Sequence, residues 1–169
     1  MSDVPGTRIL VTGALGQIGT ELVEELRQKF GNEKVISSDI RYQEGHSSTK
    51  QVPFMMLDVL DTDSLIRACR QNEIGTIYHL AAILSATGEM NPELCRKVNV
   101  GGTISVLEAA KECSLRVYTP SSIAVFGPDS PKHAPQDADL NPTTVYGETK
   151  VTGEALAREY LSEFGVDTR

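Results

Sequence analysis

Arg8-Ile9-Leu10-Val11-Thr12-Gly13-Ala14-Leu15-Gly16-Gln17-Ile18-Gly19 is the stretch that decides the fold. Its first five residues are a β-rich apolar run, expected of a strand buried on both faces. The run meets Gly13 at once. An amphipathic helix is expected from about residue 16 to 30, with Ile18, Leu22, Leu26 and Phe30 on one face and Gly31 as its C-terminal cap. Three glycines between a strand and a helix have a mechanical meaning that they lack elsewhere. Gly13 permits the tight turn, Gly16 leaves room for a pyrophosphate against the backbone, and Gly19 allows close packing of the helix. The helix start, with Gln17 and Ile18, turns unpaired N–H groups and partial positive charge toward the phosphates.

About 20 residues beyond Gly19, Asp39 stands at the end of a second expected strand, where a carboxylate can accept hydrogen bonds from ribose hydroxyls. The same charge repels a 2'-phosphate. Arg41 could meet such a phosphate, yet the glycine loop holds no basic residue, so NAD is expected rather than NADP.

Strand and helix signals alternate along the rest of the chain, which implies an α/β fold with a doubly wound parallel sheet of the Rossmann type. Strands are expected near residues 34–40, 54–57, 76–80 and 116–119. Residues 41–51 read as a polar surface loop. Asp61-Thr62-Asp63 starts a helix with Leu65, Ala68 and Cys69 on one side, and Asn91-Pro92-Glu93 starts another that should run to about Cys113. Residues 127–141, with Pro128, Pro131 and Pro135, form a long loop of the kind that is usually functional. A last helix is expected near residues 145–164, with Ala155, Leu156, Tyr160 and Phe164 as packing positions and Gly165 as its cap. Val166 to Arg169 then begins another strand where the chain stops, which suggests a fragment of a longer polypeptide.

Composition narrows the function classes. The 169 residues carry 16 Lys and Arg against 23 Asp and Glu, a net charge of -7, which works against phosphate-backbone attraction and so against nucleic-acid binding. Nothing approaches the ~20 apolar residues of a membrane helix, and Met1-Ser2-Asp3-Val4-Pro5 has no signal-peptide pattern, so no membrane association and a cytoplasmic location are expected. Cys69, Cys95 and Cys113 are scattered and read as reduced packing residues; no zinc-ligand spacing occurs, and no metal is expected. His79 ends an apolar strand and reads as structural, whereas His46 and His133 fall in polar loops and read as solvated.

Tyr146 and Lys150 lie one turn apart on the last helix, facing the same way. The spacing alone is common. What gives it chemistry is its position after the fifth strand, with Ser122 at the carboxyl end of that strand, where open α/β sheets bind ligands. A free phenol ionises near pH 10. Service as a base near neutrality needs roughly 4 kcal/mol of phenolate stabilisation, about what one ammonium ~4 Å away supplies at an effective dielectric of ~20.

Taken together, Gly13/Gly16/Gly19, Asp58-Val59, His79-Leu80-Ala81-Ala82, Asn99, Ser121-Ser122 and Tyr146/Lys150 resemble the extended short-chain dehydrogenase/reductase family, over essentially the whole chain. Residues 82–89, 120–131 and 141–147 are most similar to its metal-free, NAD-dependent, threonine-oxidising branch; sugar-nucleotide members usually carry tyrosine where Phe126 stands. The resemblance implies that Asp58 bonds the adenine and that Val59, Leu80, Ala81 and Ala82 line the cofactor. It implies that Asn99 holds the active-site backbone and that Ser85 contacts the substrate. Ser122 and Tyr146 would bind the reacting hydroxyl, with Tyr146 as base, and Lys150 would hold the nicotinamide ribose while favouring the phenolate. The implied reaction oxidises the β-hydroxyl of L-threonine to 2-amino-3-oxobutyrate. Two alternatives stay open: a sugar-nucleotide epimerase or dehydratase, and a non-catalytic NAD-binding fragment. The family places much of its substrate lobe beyond residue 169, leaving residues 1–169 as the dinucleotide-binding domain. A homodimer through the helix near Asn91 and the helix carrying Tyr146 is expected.

Overall fold

The fold is that of a computed structural model, which describes residues 8–50 and 53–169; Met1 to Pro5 and the end of the 41–51 loop lie outside the described residues. Six strands, β1 (Arg8–Thr12), β2 (Val35–Asp39), β3 (Phe54–Met56), β4 (Ile74–His79), β5 (Arg116–Tyr118) and β6 (Asp167–Thr168), form one sheet in the order β3-β2-β1-β4-β5-β6. Every pairing is parallel. The winding reverses between β1 and β4, which opens a crevice beyond their carboxyl ends.

Helices α1 (Gln17–Phe30), α2 (Thr62–Gln71), α3 (Ser85–Met90), α4 (Pro92–Arg96), α5 (Gly102–Cys113) and α6 (Val145–Phe164) connect and cover the strands. Side-chain alternation divides the apolar residues between the two faces. Leu10, Ile36 and Ile77 pack with Leu65 of α2, Val106 and Leu107 of α5, and Tyr160 of α6. Val11 and Val35 pack on the opposite face with Val23 and Leu26 of α1. The central strands are apolar at successive positions because both faces are covered. On β5 the outer residues Arg116 and Tyr118 stay exposed. No helix among the described residues is long and apolar enough to cross a membrane.

Several local expectations shift. On α1 the buried side is Gly19, Val23, Leu26 and Arg27, while Ile18 is 66% exposed and Phe30 also emerges. Ile18 sits in the first turn of α1 and joins neither apolar cluster. On α6, Tyr160 is buried, Leu156 is partly so and Phe164, half-exposed, packs edge-on against Tyr160, whereas Ala155 faces solvent; the Tyr160 hydroxyl donates to Glu108 of α5 and holds the two helices together. The helix expected from Asn91 to Cys113 is α4, a wider π-helical turn over Lys97–Gly101, and α5.

The loop after β2 is also less superficial than its polarity suggests. Ser48 and Thr49 are buried, and Ser48 Oγ donates to the Ala14 carbonyl at 3.0 Å. Beneath it Arg27 Nη2 donates to Ser37 Oγ at 2.9 Å and to the Pro53 carbonyl at 3.3 Å. The loop supplies partners for polar groups that α1 and β2 leave inside. His46 is thereby drawn in, its Nδ1 accepting from the Ser48 amide at 3.1 Å, rather than solvated.

Candidate active site

The glycine turn is built as its spacing requires. Gly13 has φ of +68°, and a Cβ there would lie 2.6 Å from the Ala81 amide nitrogen, so the turn rests directly on the backbone leaving β4. A Cβ at Gly19 would lie 2.3 Å from the Gly13 carbonyl oxygen. Gly16 differs: the nearest atom to its added Cβ is the Gly13 oxygen at 3.3 Å, and the space outside is open. Gly16 is the N-cap of α1, with no side-chain cap and no acidic residue in the first turn. The amides beyond it, with the exposed Gln17 and Ile18, face outward and carry the positive end of the helix. Asp39 reaches this turn from β2, one carboxylate oxygen accepting the Leu15 N–H at 3.2 Å. Arg41 is exposed just beyond it.

These features fit a dinucleotide: an uncapped helix start, a cradle at Gly16 that a side chain would fill, and a carboxylate at the end of β2 beside the turn. Asp58 and Val59 follow β3. Asp58 is exposed and accepts the Leu60 N–H at 2.9 Å, whereas Val59 is mostly buried against α5, where a Cβ at Gly102 would meet its Cγ2 at 3.0 Å.

Beyond β4 and β5 lies a cleft of about 430 Å³ whose walls include Ala81, Ala82, Pro120, Ser121 and Lys150. Leu80 sits partly buried just before it. His79 closes its floor, 4% exposed, with Nδ1 and Thr12 Oγ1 2.9 Å apart. Burial, and secondarily the Lys150 charge, pushes the His79 pKa down to about 4, so the ring is neutral and structural near pH 7. Asn99, in the π-helical turn, accepts the Ile83 N–H at 2.7 Å and donates to the Ile83 carbonyl and to Thr149 Oγ1, both at 3.0 Å. Its amide is fully spent on the backbone after β4 and on α6. The wider turn is a common device at functional sites.

Lys150 Nζ donates to the Pro120 carbonyl at 3.0 Å and lies 5.6 Å from the centre of the Tyr146 ring. Burial lowers the Lys150 pKa. Ser122 caps the short 3-10 turn Ile123–Val125, its Oγ accepting the Ala124 N–H at 3.2 Å. This turn and the start of α6 are in backbone contact: a Cβ at Gly147 would lie 2.2 Å from the Ala124 oxygen, and one at Gly127 would lie 2.0 Å from the Asn141 oxygen. Lys150 lies beside Tyr146 and lines the cleft, whereas Tyr146 and Ser122 are half-buried and outside its walls; Ser122 is linked to the tyrosine helix only through the turn at Ala124. Ser85 is exposed at the start of α3, a helix the sequence reading missed. Gly127 and Gly147, which lock the serine turn to the tyrosine helix, were also missed. Gly147 immediately after Tyr146 was the available signal.

Among the described residues no three His, Cys, Asp or Glu side chains gather as a metal site. The thiols of Cys69, Cys95 and Cys113 are free, the first two buried.

A doubly wound parallel sheet with an open glycine turn at its switch point is the framework of a Rossmann-type dinucleotide-binding domain. Residues 9–169 match the NAD dependent epimerase/dehydratase family, and the chain belongs to that family, whose cofactor is NAD. The solved structures similar to it include a monomeric L-threonine 3-dehydrogenase of metagenomic origin, at 52% identity and a TM-score of 0.90 over 95% of this chain and 51% of that one. L-threonine dehydrogenase of Clostridium difficile is similar at 46% identity and 0.94, over 96% and 51%. UDP-glucose 4-epimerase of Brucella ovis, solved with NAD, is similar at 25% and 0.87, over 96% and 50%. A curated relative, an uncharacterized epimerase/dehydratase of Staphylococcus epidermidis, is 49% identical over 96% of this chain and 51% of its own length. The chain therefore spans about half the length of the relatives it matches.

Proposed function

We propose that these residues are the dinucleotide-binding domain of an enzyme that oxidises the β-hydroxyl of L-threonine to 2-amino-3-oxobutyrate. What carries this proposal is the gap in likeness: 52% and 46% identity to two L-threonine dehydrogenases, against 25% to a UDP-glucose epimerase of nearly the same fold. Phe126, in place of the tyrosine usual in sugar-nucleotide members, agrees with it.

NAD, when bound, supplies the ring that accepts hydride. Gly13, Gly16, Gln17, Ile18 and Gly19 would hold its pyrophosphate, Asp39 the adenosine ribose, and Asp58, Val59 and Leu80 to Ala82 the adenine side and the wall. Asn99 keeps the backbone of that wall in place. Ser122 orients the substrate hydroxyl and Tyr146, as phenolate, takes its proton. Lys150 would favour the phenolate by its charge and bond a ribose, while Ser85 would contact the substrate from α3. The working assembly we propose is a homodimer through the helix near Asn91 and the helix carrying Tyr146, with Leu94 exposed on the first; sedimentation at monomer mass argues against it.

The deciding experiment is NADH formation on addition of L-threonine. Sustained NADH, abolished by Tyr146→Phe with NAD affinity kept, is the expected result. Conversion of a nucleotide sugar with no net NADH, and no response to threonine, moves the function to epimerisation.

A further inference from the structure

Helix α6 begins with two caps from two different elements. Thr144 accepts the Gly147 N–H at 3.0 Å in the ordinary manner. The first amide, that of Val145, donates instead to Glu89 Oε1 at 2.8 Å, across 56 positions of sequence. Glu89 belongs to α3, so a carboxylate from the helix that opens at Ser85 sits at the positive end of the helix that opens beside Tyr146. A second contact joins the same pair. A Cβ at Gly88 would lie 2.8 Å from Cys95 Sγ and 3.9 Å from Tyr146 Cβ, so α3 lies close against the base of the tyrosine.

Ser85 and Glu89 are four residues apart and share one face of α3. The helix is only six residues long, and its N-cap, Leu84, supplies no side-chain cap. So short a helix is not stable by itself. Its orientation has to be imposed from outside, and Glu89 is the polar side chain that fixes this face to α6.

We propose that Glu89 is a positioning residue: by capping α6 from α3 it sets the distance between the Ser85 hydroxyl and the Tyr146 hydroxyl. Resting on the proposed threonine oxidation, it determines how a short amino-acid substrate is held between those two groups while leaving the dinucleotide turn untouched. Loss of the carboxylate frees α3, and substrate capture suffers before cofactor binding does. A glutamine keeps an oxygen acceptor at the same reach, so the conservative variant retains the geometry.

The test compares Glu89→Ala and Glu89→Gln by two independent readouts. In amide hydrogen exchange, Glu89→Ala is expected to speed exchange at residues 85–90 and at Val145 by tenfold or more, with β1 and α1 unchanged, and Glu89→Gln to stay within threefold of wild type. In steady-state NADH formation, Glu89→Ala is expected to raise KM for L-threonine at least tenfold with KM for NAD within twofold, and Glu89→Gln to restore most of the loss. Wild-type exchange at α3 in Glu89→Ala overturns the tether. Equal rises in both KM values, or an unchanged threonine KM, overturn its positioning role. No NADH from the wild-type protein in a form extended past Arg169 counts against threonine oxidation alone, because the exchange result still decides whether Glu89 ties α3 to α6.

Discussion

Lys150 Nζ donates to the carbonyl of Pro120 at 3.0 Å while lying 5.6 Å from the centre of the Tyr146 ring. One ammonium therefore ties the loop leaving β5, which carries Ser122, to the helix that carries the proposed base. Lys150→Ala is expected to lower NADH formation from L-threonine by about 10²- to 10⁴-fold, the usual span for losing support of a proton-transfer group. Lys150→Arg should recover little, since a planar fork does not reproduce a point charge at that carbonyl. Rates of Lys150→Ala within tenfold of wild type contradict the role given to the pair.

Gly147 tests the docking of the serine turn on the tyrosine helix. A methyl group there would stand 2.2 Å from the Ala124 oxygen, backbone that cannot swing aside. Gly147→Ala should destabilise the fold by about 1–3 kcal/mol, the cost of overpacking, and reduce turnover more than NAD affinity. Thermal unfolding and NADH kinetics check it; a wild-type Tm with wild-type turnover contradicts the contact.

Acid should loosen the sheet through His79. Its pKa is pushed from 6.5 down to about 4 by burial, with the Lys150 charge second. Between those values the unfolded chain binds a proton that the folded chain refuses, so stability falls as pH falls through that window. The gap corresponds to about 3 kcal/mol, fully expressed near pH 4 and absent above about 7. His79→Asn should flatten this part of the profile of Tm against pH. An equally steep profile in the variant assigns the acid sensitivity to other groups.

The sequence revealed most where the signals are local. The strand-to-glycine transition at Thr12 and Gly13, the opening of α1 at Gly16, the caps at Gly31 and Gly165 and the four-residue step from Tyr146 to Lys150 are all decided within one or two turns of chain. What stayed hidden depends on partners far away. Helix α3 is too short for a period and opens at Leu84 without a capping side chain, so nothing local announces it. The π-helical turn forms where Asn99 reaches Ile83 and Thr149, and the burial of Ser48 depends on Ala14. Ile18 shows the opposite error: its spacing placed it in the core, but its position at the helix start leaves it outside.

Calorimetric titration of NAD, with wild type beside Gly16→Val, bears most directly on the glycine turn as the seat of the cofactor. A Cβ at Gly16 would lie 3.3 Å from the Gly13 oxygen and near nothing else, so the variant should still fold, with a Tm somewhat below wild type, while its side chain fills the cradle. The expected result is one saturable NAD site in the wild-type chain and its loss, by tenfold or more in affinity, in Gly16→Val. Heat of binding that is equal in the two proteins, or absent from the wild type, would contradict it.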